Sequence, residues 1–212
     1  MVQWFNLAAI TSYAYARVFN PGLLVPHISV RDINSINFRK LREKGIKGII
    51  SDKDDVLTWQ YVNQIYSRVK DKVAEIKAVY GNRALVRSNC AGVRFEDPGY
   101  QIAKETEKSL GIEVAKGFWK KPWGLMGLCY EFGCPPENLA IIDDRISTGI
   151  LGGNLCGMVT IYTLGLSIDE ETRFEKGLRA RERRLVKSLM EKGVTAPIHG
   201  KYFNDACLEE FI

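Results

Sequence analysis

Apolar residues fall into short, dense runs separated by longer amphipathic stretches. GIKGIISDKDD at 45–55, ALVRSN at 84–89, EVAKGF at 113–118, LAIIDD at 139–144 and MVTIYTL at 158–164 read as strands, the first and fourth ending in acids, with compact apolar runs mostly rich in branched side chains. Between them, apolar positions recur at three- and four-residue spacing. This predicts helices over about 35–44, over 56–80 (Val62, Ile65, Val69, Val73, Ile76), over 98–110, over 124–132 and through Leu151 and Leu155. A last helix is predicted over 170–192, with Phe174, Leu178, Leu185 and Leu189 as its apolar positions. Strands alternating with helices indicate an α/β fold, a Rossmann-like parallel sheet of about five strands flanked by helices. Asn20-Pro21-Gly22 and Pro26 mark 20–30 as a linker behind an N-terminal helix. The expected organisation is therefore N-terminal helix and linker (1–30), α/β domain (31–168), and charged C-terminal helix with tail (169–212).

At 212 residues, with 46% hydrophobic and 26% charged side chains, the chain fits one domain with a globular core. Disordered and collagen-like chains are excluded by the same figures. Five cysteines, Cys90, Cys129, Cys134, Cys156 and Cys207, lack CxxC spacing and neighbouring histidines, which argues against a zinc site or a disulfide framework and points to a reducing compartment. His27 and His199 are the only histidines, too few for a Ser/His/Asp machine or a His-based metal centre. Catalysis in such a chain runs on carboxylates.

Charge is unevenly placed. Residues 1–47 hold seven basic side chains against two acidic ones, an excess equal to the net charge of +5 for the whole chain. Residues 1–16 carry no charge but include Trp4, Phe5, Tyr13 and Tyr15, a segment too short to cross a bilayer and rich in interfacial aromatics. Two readings stay open: contact with an anionic membrane surface, and packing of this helix on the domain. A secretory signal would need a basic start, and a transit peptide more arginine. In the last helix, eight basic residues face six acidic ones between Asp169 and Gly193, too balanced for a nucleic-acid stripe; the plain expectation is a solvated surface helix, with a docking role for a partner or lipid headgroups also open.

Ligands of open α/β sheets bind beyond the carboxyl ends of the strands, and four such ends here carry polar residues. The first has Asp52, Lys53, Asp54 and Asp55; the second Ser88 and Asn89; the third Lys120, Lys121 and Pro122; the fourth Asp143 and Asp144. Side-chain alternation can turn Asp52 and Asp54 to one side. Several carboxylates converging with one lysine repel unless a divalent cation sits among them, and hard oxygen donors suit Mg2+. A carboxylate nucleophile, a second carboxylate as acid and base, a hydroxyl and an ammonium together suit phosphoryl transfer.

These motifs, DKDDVLT at 52–58, RSN at 87–89, KKP at 120–122 and IIDDR at 141–145, occur in the order of the haloacid dehalogenase superfamily, which the chain resembles. More narrowly, PHISV at 26–30, GIKGIISDKDDVLT, SNCAG, KKPWG and DDRISTGILGGNLCGM look like the mitochondrial phosphatidylglycerophosphate phosphatase branch, a likeness over about 20–165. The resemblance implies that fold without a large cap, with Asp52 as nucleophile, Asp54 as acid and then base, and Ser88, Asn89 and Lys121 as substrate-binding residues. It implies Mg2+ held by the Asp52 carboxylate, the Asp54 backbone carbonyl and Asp144, with Asp143 beside them. It further implies a phospholipid substrate, a phosphate monoester hydrolysed on the way to cardiolipin, and a peripheral location on the matrix side of the mitochondrial inner membrane. One position departs. Relatives commonly carry a second aspartate about five residues after the first acid, where this chain has Gly149. That leaves two readings: an active enzyme in which Asp143 replaces the acid, or a phosphatase-derived structural subunit of an inner-membrane protein complex.

Overall fold

In the computed structural model, which describes residues 6–166 and 173–199 (side chains from 177 in the second stretch), six parallel strands form one sheet. They are β1 (Ile28–Val30), β2 (Gly48–Ser51), β3 (Ala84–Val86), β4 (Glu113–Val114), β5 (Leu139–Asp143) and β6 (Val159–Thr163), in the order β1-β6-β5-β2-β3-β4. The order reverses between β2 and β5, where Ile49 pairs with Ala140 and Ile50 with Ile141. The two chain segments that end in aspartates therefore lie side by side at the switch point, where a parallel sheet binds ligands.

Both faces of the sheet are covered. Ile49, Val86, Ala140, Ile142 and Ile161 pack on one side with Val73 and Ile76 of α3 (Lys70–Tyr80) and Ala103 and Leu110 of α4 (Gln101–Leu110). Ile50, Leu85, Leu139 and Ile141 pack on the other with Leu128 and Phe132 of α5 (Leu128–Phe132). Each buried Ile or Leu stabilises the fold by about 2 kcal/mol relative to exposure. A third cluster joins Ala16 of α1 (Leu7–Phe19), Leu24, Ile146, Ile150, Tyr162 and Val186 of α7 (Arg173–Glu191). Two short helices, α2 (Phe38–Glu43) and α6 (Leu151–Cys156), complete the set, and a π-helical turn over Ile146–Ile150 runs directly into α6.

Three expectations change. The presumed linker holds a 3-10 turn (Pro21–Leu24) and the sixth strand, β1, which pairs Ile28–Val30 with Ile161–Thr163; Asn154 Nδ2 donates to the carbonyls of Leu23 and Val25 and pins the segment. The helix expected over 56–80 begins only at Lys70. Residues 54–66 instead form a closed loop in which Asp55 and Tyr61 are left-handed and Tyr66 N–H bonds Leu57 O at 3.0 Å. Lastly, α7 is no purely solvated helix: Arg179, Glu182 and Val186 are buried at three- and four-residue spacing. Trp4, Phe5, the side chain of Phe174, Cys207 and residues 200–212 lie outside the described residues.

Candidate active site

The ladder between β2 and β5 continues one residue past the strand, because Asp52 N–H donates to Ile142 O at 2.8 Å. This fixes the Asp52 backbone, and the Lys53 amide donates to its Oδ1 at 2.8 Å. Its Oδ2 meets Lys121 Nζ at 2.8 Å, and the same ammonium lies 2.6 Å from Asp143 Oδ2. Lys121 is wholly buried, so two carboxylates and one ammonium form a bridge out of water. Carboxylate oxygens of Asp52, Asp143 and Asp144 lie within 4.8 Å of one another.

Asp144 pairs with Arg179 of α7, whose Nη2 also donates to Asp55 Oδ2 at 2.5 Å. One turn further, the Glu182 carboxylate accepts from the Ile146 amide at 3.2 Å and the Ser147 amide at 3.4 Å, at the start of the helical segment that follows the aspartates. A carboxylate there suits the positive end of that helix. Asp143 Oδ1 accepts from Arg145 N–H at 2.9 Å. Gly149 lies against the other side of Asp143: a Cβ at 149 would fall 2.0 Å from the Asp143 carboxyl carbon. The space a side chain at 149 would enter is filled by the Asp143 carboxylate.

Beyond β3, Ser88 Oγ accepts from the amides of Cys90 at 3.1 Å and Ala91 at 3.3 Å, while Asn89 Oδ1 accepts from Lys121 N–H at 2.8 Å. Asn89 thus holds the lysine's own backbone. Arg87, fully buried, donates to Ala115 O at 2.7 Å and to Trp119 O. Its guanidinium lies against Gly117 and Gly124, and a Cβ at 124 would come within 2.4 Å of Nη2. Arg87 and Asn89 together anchor the loop that carries Lys121. Asp54 stands outside the tight carboxylate cluster, its Oδ1 accepting from Lys53 Nζ at 2.7 Å and Tyr61 N–H at 2.8 Å.

The profile described as mitochondrial PGP phosphatase matches residues 7–167. This chain belongs to that family. It is 34% identical to phosphatidylglycerophosphate phosphatase 1 (chloroplastic/mitochondrial) of Arabidopsis thaliana, over 93% of this chain and 57% of the plant protein. The identity is also 34% with the chloroplastic phosphatidylglycerophosphate phosphatase 1 of Chlamydomonas reinhardtii, over 80% of this chain and 63% of the other. The mitochondrial phosphatidylglycerophosphatase of Saccharomyces cerevisiae is 28% identical over 76% of this chain and 90% of its own length. The chain spans less than two thirds of the length of the plant and algal proteins.

In this member of the PGP phosphatase family, burial sets the electrostatics of the site. It works against the charge on Lys121, but the carboxylates of Asp143 and Asp52 outweigh it and hold the ammonium protonated above its ordinary range. Burial also pushes Asp143 up to about 6, against the pull of Lys121 and with the charge of Asp52 adding to the rise. Asp144 is raised well above the usual carboxylate range by burial, with Arg179 opposing. Asp54 is raised mainly by burial, opposed by Lys53. Three buried oxygen-donor side chains in reach of one another, two of them reluctant to ionise, form a donor set that fits Mg2+.

Sequence reasoning placed Asp52, Lys121, Asp143 and Asp144, and the fold brings all four together. It gave no role to Arg87, although that residue stands in the quoted RSN motif, and none to Arg179 or Glu182, whose charge disguised an inward-facing helical stripe. A cavity of about 340 Å³, lined by His27, Asn154, Met158 and His199, lies at the amino ends of the strands, remote from these carboxylates.

Proposed function

We propose that this chain is a magnesium-dependent phosphatase that converts phosphatidylglycerophosphate to phosphatidylglycerol through an aspartyl-phosphate, supplying cardiolipin synthesis. The relatives' names support the substrate, and the single observation that carries the chemistry is the Asp52–Lys121–Asp143 bridge at the switch point of the sheet. Asp52 is the residue held there with one oxygen on a fixed ammonium, which aims it at an incoming phosphorus.

Attack by an Asp52 oxygen forms an oxygen–phosphorus bond while the bond to the glycerol oxygen breaks. Asp54, with its pKa raised by burial, gives its proton to that departing alkoxide. In the second step Asp54 takes a proton from water, the water oxygen bonds phosphorus, and the Asp52–phosphorus bond breaks to release inorganic phosphate. Lys121 balances charge on the phosphoryl oxygens, and Ser88 hydrogen-bonds one of them. Asp52, Asp143, Asp144 and the Asp54 carbonyl would hold Mg2+, which supplies Lewis-acid neutralisation of phosphoryl charge.

The glycine at 149, which favoured a structural subunit, has a geometric account, since Asp143 fills that space. No helix among the described residues is long and apolar enough to cross a membrane, which agrees with a peripheral placement on an anionic membrane, proposed here as the matrix face of the inner mitochondrial membrane. The test is phosphate release from phosphatidylglycerophosphate with and without Mg2+, for wild type and Asp52→Asn. Loss of an essential nucleophile costs several orders of magnitude, so turnover by Asp52→Asn above about 1% of wild type overturns the assignment.

A further inference from the structure

Helix α1 is built inside out. The residues it buries are Ala9 and Ala16, while Leu7, Ile10, Tyr15 and Val18, spaced by three to five residues on the opposite side, are each about half exposed or more. Arg17 is its only charged side chain. An apolar stripe of this kind on the outside of a folded domain has no core to face.

A second apolar surface sits on the loops beyond β3 and β4. Phe95 packs on Phe118 with ring centroids 4.7 Å apart, Phe118 on Trp119 at 4.9 Å, and Trp119 on Trp123 at 5.8 Å. All four are exposed, from 44% at Trp123 to 68% at Phe95. The two surfaces touch, because Trp123 Nε1 donates to Ser12 Oγ at 3.2 Å and Asn6, the N-cap of α1, donates to Lys121 O at 2.7 Å. The loop that displays the aromatic ridge is also the loop that delivers Lys121 to Asp52.

We propose that the outer face of α1 and the ridge Phe95–Phe118–Trp119–Trp123 form one docking surface for an anionic bilayer, seating the protein with its phosphoryl site at the headgroup level. This rests on the lipid-phosphate reading above: such a substrate keeps its chains in the membrane, so the site must come to the surface. The composition suits lipid over a protein partner. Tryptophan and tyrosine favour the headgroup region, and exposed Arg17 and Arg94 stand on the two surfaces beside the apolar side chains. One amphipathic helix binds a bilayer only reversibly, and the ridge supplies a second anchor.

The test uses the full chain and vesicles of phosphatidylcholine with cardiolipin. Trp119 and Trp123 should become shielded from acrylamide on vesicle addition and be quenched by brominated acyl chains. Phe95→Ser/Phe118→Ser and, separately, Ile10→Ser/Val18→Ser should each weaken sedimentation with vesicles by about tenfold or more, which corresponds to about 1.4 kcal/mol. Hydrolysis of soluble para-nitrophenyl phosphate by the Phe95→Ser/Phe118→Ser protein should match wild type. Weakening by the α1 substitutions alone, with no shielding of tryptophan, overturns the ridge. A wild-type protein that ignores vesicles overturns the whole surface in favour of a protein partner. Vesicle binding that depends on the ridge supports it even where phosphatidylglycerophosphate is not hydrolysed, a failure that would fall on the substrate reading alone.

Discussion

Two carboxylate–cation–carboxylate bridges stand next to each other at the carboxyl end of the sheet. In one, Lys121 joins Asp52 to Asp143; in the other, Arg179 joins Asp55 to Asp144. The first is made entirely of segments within the family match at 7–167, while the second borrows its cation from α7, beyond that match. The cations differ in kind. A lysine ammonium is a compact point charge that, in the proposed reaction, two carboxylate oxygens would share with a phosphoryl group, whereas the planar fork of arginine fixes the orientation of the groups it holds. The difference suggests a division of labour, with charge supplied to the reacting atoms by Lys121 and geometry supplied to their neighbours by Arg179.

The sharpest way to break that division is to remove Lys121. Lys121→Met should lower turnover of both lipid and soluble phosphate monoesters by about three orders of magnitude, because it strips the charge that faces the transferring group and leaves Asp52 and Asp143 opposed without their bridge. Steady-state kinetics at saturating Mg2+ checks this. A loss of less than about tenfold would place the lysine outside the chemistry.

Arg179→Ala should act on stability first. Removing one partner of a buried pair leaves an uncompensated charge, at a cost of about 3–5 kcal/mol, and here two carboxylates are left. Denaturant unfolding of the metal-free protein measures this, and Arg179→Lys should recover part of the loss. Were turnover to collapse with stability unchanged, Arg179 would belong to the chemistry and the contrast with Lys121 would fail.

How much of this was open to sequence reasoning depended on which signal each element carried. Four of the five strands announced themselves because they are apolar on both faces, as with Ile49 and Ile50 turning to opposite sides of β2, while β4 shows one buried face at Val114 and an exposed Glu113. The acids at the ends of β2 and β5 follow those strands directly, so finding the strands found them. Strand β1 was hidden by its length of three residues behind Pro26 and owes its place to pairing with β6. The loop at 54–66 imitated a helix because Val62 and Ile65 sit at helical spacing, yet Val62 is 41% exposed and the chain there is closed by Lys53 Nζ on the Val62 carbonyl. Arg179 and Glu182 were invisible to a hydrophobic pattern, since their inward positions in α7 are charged and find partners such as Asp144, Asp55, Arg145 and the amides of Ile146 and Ser147 far away in sequence.

Gly149 tests whether the Lys121 bridge tolerates another acid. Gly149→Asp must displace the Asp143 carboxylate that occupies its Cβ position, and with it one of the two oxygens on Lys121. Turnover should fall about a hundredfold, in proportion to about 2.7 kcal/mol of lost stabilisation. Asp143→Gly combined with Gly149→Asp returns one carboxylate to the shared space and should restore part of the activity. Higher activity in Gly149→Asp alone would show that Asp143 does not fill the role of the missing acid.

The smallest effect expected is on pH. Asp143, pushed up to about 6, retains a proton in the native metal-free protein at pH values where the unfolded chain, with an ordinary carboxyl near 3.9, has lost it. The native state therefore binds the extra proton between about pH 4 and 6, and this group's contribution to stability falls as pH rises through that window. Metal binding needs the ionised carboxylate and must expel the proton. Apparent Mg2+ affinity should thus fall as pH drops through about 6, by up to about tenfold per pH unit or about 1.4 kcal/mol for this group, with Asp144, also raised by burial, adding its own proton release to the slope. Titrating the Mg2+-induced rise in Tm at several pH values between about 5 and 7.5 measures the slope, which Asp143→Asn should flatten. An affinity independent of pH across that range would separate Asp143 from the metal and leave it as a partner of Lys121 alone, drawing the two bridges closer in kind than their cations suggest.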